Sequence, residues 1–476
     1  MPVSVFLSDK KSLYPPIRYV CFTCSALKGI IAINKSKGEN KMSLKIYERL
    51  SAISFSRPSG TDKEKEVASF LEKEIRKIGF EPEVETFEYT RKVPKKATLT
   101  AIYENGEERS FSVTGVIDSS STPEEGITAE LYYLSSFDDV SLGRIKGKVV
   151  LIHDRLSPKT YRKLKEAGIV SYITTSGTIR DTYENSDLET VRFRDNLLDI
   201  GAVPAFTIRM IDAVELLKSY PQKVRVTLSL KEEKVESQNL LVKVQGTEYP
   251  EEILVAGAHY DSVPFSKGSW DNGAGTVEIL SLLEHLKDHP GKRTVYTVWF
   301  GSEETGLQGS KAFVKRHEKE LGKILGMVNV DVGGSILGKE IVFVTAIEKA
   351  VTWVEHLVKE AGYPANPGQH VMSSDSAVFS DHGIPSISLG QGAPRGGGYM
   401  HTRYDNMDLI DEKILEKEAG FLIRIVDRLA NSIVFPIPRV IPEKLRDDLI
   451  EYFSPSRSAQ SELPAIKEEK ISEFHF

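Results

Sequence analysis

Ile253-Leu254-Val255-Ala256-Gly257-Ala258-His259-Tyr260-Asp261-Ser262 is an apolar run that stops abruptly on an imidazole and a carboxylate. An uninterrupted apolar run of this length predicts a strand buried on both faces, as in a parallel sheet covered by helices. The pattern recurs downstream: Thr294 to Phe300 runs into Glu303-Glu304, and Gly326 to Val330 runs into Asp331. Helix-like runs lie between, Ala274 to Lys287 and Ser310 to Leu321. Such alternation specifies an α/β domain with a mostly parallel mixed sheet flanked by helices. Ligands bind such sheets in the crevice beyond the carboxyl ends of the strands, where these polar residues collect.

Upstream, Ile46, Leu50, Ile53 and then Val67, Phe70, Leu71, Ile75, Ile78 recur at helical spacing, on either side of a turn at Arg57-Pro58-Ser59-Gly60-Thr61. Glu81 to Tyr89 alternates as a strand should. From Lys92 to Glu236 the texture changes to short strands, among them Thr98 to Tyr103, Ala129 to Leu134 and Gly147 to Ile152, with one helix at Pro158 to Ala167. This stretch reads as a β-rich domain with its own core, inserted into the α/β domain. The expected division is an extension at 1–41, the main domain at 42–91 and 237–435, the insertion at 92–236, and a tail at 436–476 with one short helix.

The 476 residues correspond to about three structural units at roughly 150 residues each. A net charge of −6 does not suit a phosphate backbone, so no nucleic-acid partner is expected. Cys21 and Cys24 are the only cysteines, which excludes a disulfide scaffold and fits a reducing cytoplasm. Tyr19 to Ile33 is apolar but broken by Lys28, too short for a membrane span, and Asp9 and the Pro15-Pro16 pair ahead of it argue against a signal peptide. Met42, at the head of a good helix, reads as an alternative start of translation. Homo-oligomer formation is left open.

Two further groups join the strand-end residues: Asp271 in Ser269-Trp270-Asp271-Asn272-Gly273-Ala274-Gly275, and His401 in Tyr399-Met400-His401-Thr402. Several carboxylates converging on one sheet edge repel one another unless cations are present. A mixed nitrogen and oxygen donor set without thiolate suits zinc, with cobalt or manganese as substitutes. Five ligands, one a bridging carboxylate, can hold two ions about 3.5 to 4 Å apart.

The order His259-x-Asp261, Asp271-Asn272-Gly273-Ala274-Gly275, Glu303-Glu304-x-Gly306, Asp331 and His401 resembles the co-catalytic zinc peptidases of family M28, over residues 42 to 435. Gly147 to Ile152 together with Gly201 to Ile208 resembles the protease-associated (PA) domain that some members carry as an insertion. The resemblance implies a dinuclear zinc exopeptidase acting on peptides, most simply an aminopeptidase. A carboxypeptidase or dipeptidase of the same family, or a non-catalytic receptor-like member, is the alternative. It further implies that His259 and Asp331 bind one zinc, Glu304 and His401 the other, and that Asp271 bridges them. Asp261 would orient the His259 ring and Glu303 would be the general base. Some members place a tyrosine, the oxyanion donor, directly before the last histidine; here Met400 stands there and Tyr399 one earlier.

Ser373-Ser374-Asp375-Ser376-Ala377-Val378-Phe379 resembles the family segment on the specificity side of the site, and Gly390 through Gly398 reads as a flexible loop over the cleft. Arg395 and Arg403 are candidates to clamp a substrate carboxylate. His285 with His289, His317, His370 and His382 read as structural or solvated residues. Gly273-x-Gly275 lacks the third glycine of a dinucleotide fingerprint, Glu278 standing in its place.

Overall fold

Strand Tyr249–His259 lies at the centre of the larger of two sheets. The computed structural model describes residues 39–153, 156–393 and 400–453. The sheet runs in the order Asn366–Gln369, Lys339–Thr345, Ser386–Gly392, Ile324–Val330, Tyr249–His259, Arg293–Phe300, Lys223–Val244, Glu83–Ile102, Glu108–Phe111. Its four central strands, from Ser386–Gly392 to Arg293–Phe300, are mutually parallel, so their carboxyl ends share one edge. Every residue of Arg293–Phe300 is buried, as a run covered on both faces requires.

Helices cover both faces. On one, Leu254, Ala256, Val328 and Val330 pack against Leu50, Leu71, Val277, Leu280 and Leu422 of helices Glu39–Ile53, Asp62–Ile78, Ala274–Asp288 and Glu412–Asn431. On the other, Val255, Val298 and Phe300 meet Phe313 and Phe379. The helix expected over 310–321 ends at Arg316. Helix Asp62–Ile78 starts on a Thr61 cap and stops at Gly79, whose φ of 117° favours glycine.

Glu83–Ile102 and Lys223–Val244 pair antiparallel along the whole of the first strand, from Glu83 opposite Leu241 to Ile102 opposite Lys223. What reads in sequence as separate strands at 81–89 and 98–103 is therefore one strand. Pro94, which donates no ladder bond, is absorbed by a register shift between Pro94 and Lys96. The far end of this ribbon carries Leu99, Ala101, Val224, Val226 and Leu228 into a second core with Val149, Leu151, Ile173, Phe206 and Ile208. Those residues belong to the second sheet, ordered Val113–Gly115, Ala205–Arg209, Ser171–Ser176, Val149–Ile152, Leu131–Leu134. Tyr161, from the capped helix Pro158–Glu166, packs on its other face with Phe193.

The tail helix, Glu443–Phe453, packs through Leu445 and Leu449. Cys21, Cys24 and most of the 1–41 extension lie outside the described residues, as do Arg395 and Tyr399. No helix among the described residues is long and apolar enough to cross a membrane.

Candidate metal centre

The loops at the carboxyl edge bring the sequence-nominated residues together. His259 ends its strand, and its Nε2 lies 3.2 Å from Asp271 Oδ1 and 3.2 Å from Asp331 Oδ1. His401 Nε2 lies 3.1 Å from the other Asp271 oxygen and 3.1 Å from Glu304 Oε2. Asp271 thus faces a different imidazole with each of its oxygens. Donor atoms of His259, Asp271 and Asp331 fall within 4.8 Å of one another, as do those of Asp271, Glu304 and His401. His259, Asp271 and Asp331 are buried, whereas the His401 side chain is 44% exposed and marks the open side.

Asp261 does more than the sequence implies. Its Oδ1 is 3.4 Å from His259 Nδ1 without forming a hydrogen bond. Its firmer bonds are to the neighbouring strand end: Oδ1 accepts from the Glu303 backbone N–H at 2.9 Å, and Oδ2 from Glu304 N–H at 3.2 Å and Ser59 Oγ at 2.8 Å. One buried carboxylate therefore sets the backbone of Glu303 and Glu304 relative to His259.

Asn272 does the equivalent for Asp271. Its amide donates to the Val330 carbonyl at 2.8 Å and accepts from Val332 N–H at 3.3 Å, clasping both sides of Asp331. A Cβ on Gly275 would lie 2.5 Å from Asn272 Oδ1 and 2.7 Å from the Val330 oxygen, which explains that glycine. Ser302, Val332 and His401 adopt left-handed φ of 56°, 70° and 61°, uncommon for residues with a Cβ and held only where the surroundings insist.

Some supporting residues carried no functional signal in the sequence. Arg57, in the segment read as a plain turn, is fully buried. Its guanidinium donates to the carbonyls of Ile53, Phe55, Lys267, Gly268 and Tyr260, joining the first helix to the loop that delivers Asp271. Glu64 accepts from Ser302 N–H at 3.0 Å and Ser237 Oγ at 2.8 Å, and burial pushes its carboxyl up to about 7. Asp405, four residues past His401, accepts from the backbone N–H of Trp270 at 2.7 Å and of Asp271 at 3.1 Å. Burial, reinforced by Asp271, pushes Asp405 up to about 6. Arg57→Lys cannot reproduce the five-carbonyl clamp. It is expected to weaken zinc binding by about ten- to a hundredfold, the usual effect of losing support behind metal ligands. Competition with a chromogenic chelator measures this, and unaltered affinity would show that other bonds set the loop.

Two expectations are corrected. Gly390-Gln391-Gly392 is not loop but the end of strand Ser386–Gly392, and Gly390 is glycine because a Cβ there would fall 2.3 Å from the Asp331 carbonyl. In the Ser373–Phe379 segment, Asp375 to Phe379 are buried, Phe379 packs on Phe300 and Phe313, and Asp375 lies near enough to His259 and Asp331 for their charges to interact. Arg403 is held by Asp187 and leaves no free clamp for a carboxylate. The outlying histidines have structural partners: His285 Nε2 lies 2.9 Å from Asp427, and His285 stacks on His289. His317 sits between Glu85 and Glu320, His370 lies against Phe343, and His382 bonds the Val378 carbonyl.

The electrostatics favour a cation. Burial and neighbouring carboxylates push Glu304 and Asp375 up to about 7 and Glu303 well above the carboxylate range, with His401 and His259 opposing. Burial acts the same way on Asp271, but its contacts with both imidazoles hold it below the usual value. Glu304 Oε1 and both Asp375 oxygens are buried without hydrogen-bond partners. Nitrogen and carboxylate donors in two groups sharing one carboxylate fit zinc.

Residues 239–425, which contain every one of these donors, match the model "Peptidase family M28". Aminopeptidase YwaD of Bacillus subtilis is 28% identical over 413 residues, covering 82% of this chain and 86% of that protein. Carboxypeptidase Q of Xenopus laevis is 25% identical over 323 residues, covering 64% and 68%. The solved structure of BSAP, a zinc aminopeptidase from Bacillus subtilis, superposes with a TM-score of 0.66 at 23% identity over 85% of this chain and 98% of that one. Residues 239–425, with the ordered motifs they contain, thus carry a peptidase family M28 domain, and the superposition shows the shared fold.

Proposed function

We propose that the chain is a dinuclear zinc aminopeptidase, in which His259 and Asp331 hold one ion, Glu304 and His401 the other, and Asp271 both. The observation that carries this reading is the division of Asp271 between two imidazoles, 3.2 Å and 3.1 Å away. When bound, the two ions would polarise the scissile carbonyl, acidify water and stabilise the developing oxyanion. Glu303 is the carboxylate of the set that neither donor group uses, and it lies beside them. It takes the proton of the attacking water and delivers it to the departing amine. Asp261 fixes the backbone from which Glu303 projects. We read residues 92–236 as a PA-like insertion, on the strength of the separate sheet and core they carry.

The relatives include both an aminopeptidase and carboxypeptidases, so the substrate end is the quantity to measure. Zinc-loaded and chelator-treated protein should be assayed on aminoacyl anilides with free amino termini, and on N-acetylated peptides with free carboxyl termini. Zinc-dependent release from the free amino termini alone is expected. Cleavage confined to the blocked peptides would replace the reading with a carboxypeptidase, and zinc binding without any hydrolysis would point to a receptor-like member.

A further inference from the structure

The segment from Asp187 to Arg192 belongs to the insertion, yet it is bonded to the metal-bearing domain at one end and lies against it at the other. At one end Arg403, two residues after His401, donates from Nε to Asp187 Oδ2 at 2.7 Å and also bonds Oδ1, while its Nη1 reaches the Glu184 carbonyl. At the other, Arg192 is fixed by Asp118 at 2.9 Å and Asp195 at 2.6 Å. Arg192 lies against Gly306, two residues after Glu304: a Cβ there would fall 2.5 Å from its Nη1. The segment therefore spans the side of the cluster where His401 and Glu304 meet.

Between these two ends stands Glu189. It is half-buried, and among the described residues it has no hydrogen-bond or ion-pair partner. It is near enough to His401 for their charges to interact, although burial dominates and pushes its carboxyl upward. An imidazole that binds a metal is neutral, so His401 itself forms no ion pair with Glu189 in the working site. A half-buried carboxylate with no ion-pair partner among the described residues is suited to a primary ammonium, which pairs with it through charge-assisted hydrogen bonds.

We propose that Glu189, contributed by the insertion, recognises the free α-ammonium group of the peptide substrate at the rim of the metal centre. This rests on the aminopeptidase reading and gives it a structural cause: a negative charge there attracts an amino terminus, repels a carboxyl terminus and leaves an acylated terminus unpaired. The bond from Arg403 to Asp187 serves to hold the segment in place.

The test compares zinc-loaded wild type with Glu189→Gln on leucyl p-nitroanilide, together with calorimetric binding of L-leucine and of its desamino analogue 4-methylpentanoate. A charge-assisted hydrogen bond of ordinary strength predicts that kcat/KM for the free-amine substrate falls about ten- to a hundredfold, mainly through KM. L-leucine binding weakens by a similar factor, while 4-methylpentanoate binding and zinc content do not change. Undiminished free-amine kinetics in the zinc-loaded variant would overturn the role of Glu189 and leave the aminopeptidase reading standing. A wild type that cleaves only blocked peptides would overturn both. Should Glu189→Gln unfold or lose zinc, Glu189→Asp carries the test: a loss confined to ligands bearing the amine supports the proposal, and an equal loss for L-leucine and 4-methylpentanoate defeats it.

Discussion

In Asp271→Asn, zinc is expected to leave both halves of the site and hydrolysis to fall by about a thousandfold or more. The reasoning starts from geometry: Asp271 is the one residue common to both donor groups, and each of its oxygens faces a different histidine. An asparagine preserves the shape but removes the charge and turns one oxygen into an N–H donor, which no cation accepts. The lost electrostatic stabilisation is several kcal/mol, and each 1.36 kcal/mol is a factor of ten in rate. Elemental analysis after gel filtration, with circular dichroism as a check on folding, measures the metal. A folded variant that retained two ions per chain and normal turnover would remove Asp271 as the bridge.

The same residue shows why the donors were legible in the sequence. Each stands where an apolar strand or a glycine-rich turn ends, and a polar group at such a place has no role in a core. His259, Glu303-Glu304 and Asp331 follow buried strands, and Asp271 opens the glycine turn that leads into helix Ala274–Asp288. The α/β alternation was equally plain, because strands buried on both faces leave uninterrupted apolar runs.

What escaped notice depends on contacts between distant parts of the chain. Arg57 is an ordinary arginine in a turn until folding brings residues 260, 267 and 268 around its guanidinium. Asp405 and Glu64 bond backbone groups, which leave no mark on composition or periodicity. Glu189 lies outside the motif-bearing region altogether, and its place near His401 follows from the Arg403–Asp187 ion pair and the approach of Arg192 to Gly306, which no local pattern encodes. The long ribbon was hidden for a different reason. Pro94 and the lysines around it break the alternation just where the bulge tolerates them.

Glu303→Gln is the complementary case, expected to lose turnover while keeping its metal. Glu303 belongs to neither donor group, and its backbone is held by Asp261 through an N–H that glutamine also has. The loops that carry Glu304 and Asp271 should therefore stay in place. An amide cannot receive the proton of the attacking water, and general-base assistance contributes about a hundred- to ten-thousandfold, so kcat should fall within that range. KM should change little, because the residue acts on the proton in flight and not on bound substrate. Steady-state kinetics beside elemental analysis separates this variant from Asp271→Asn: one loses rate with zinc retained, the other loses both. Retained kcat in a zinc-loaded Glu303→Gln would shift the proton acceptor to another carboxylate. Asp375, buried close by with two unpartnered oxygens, would be the next residue to replace.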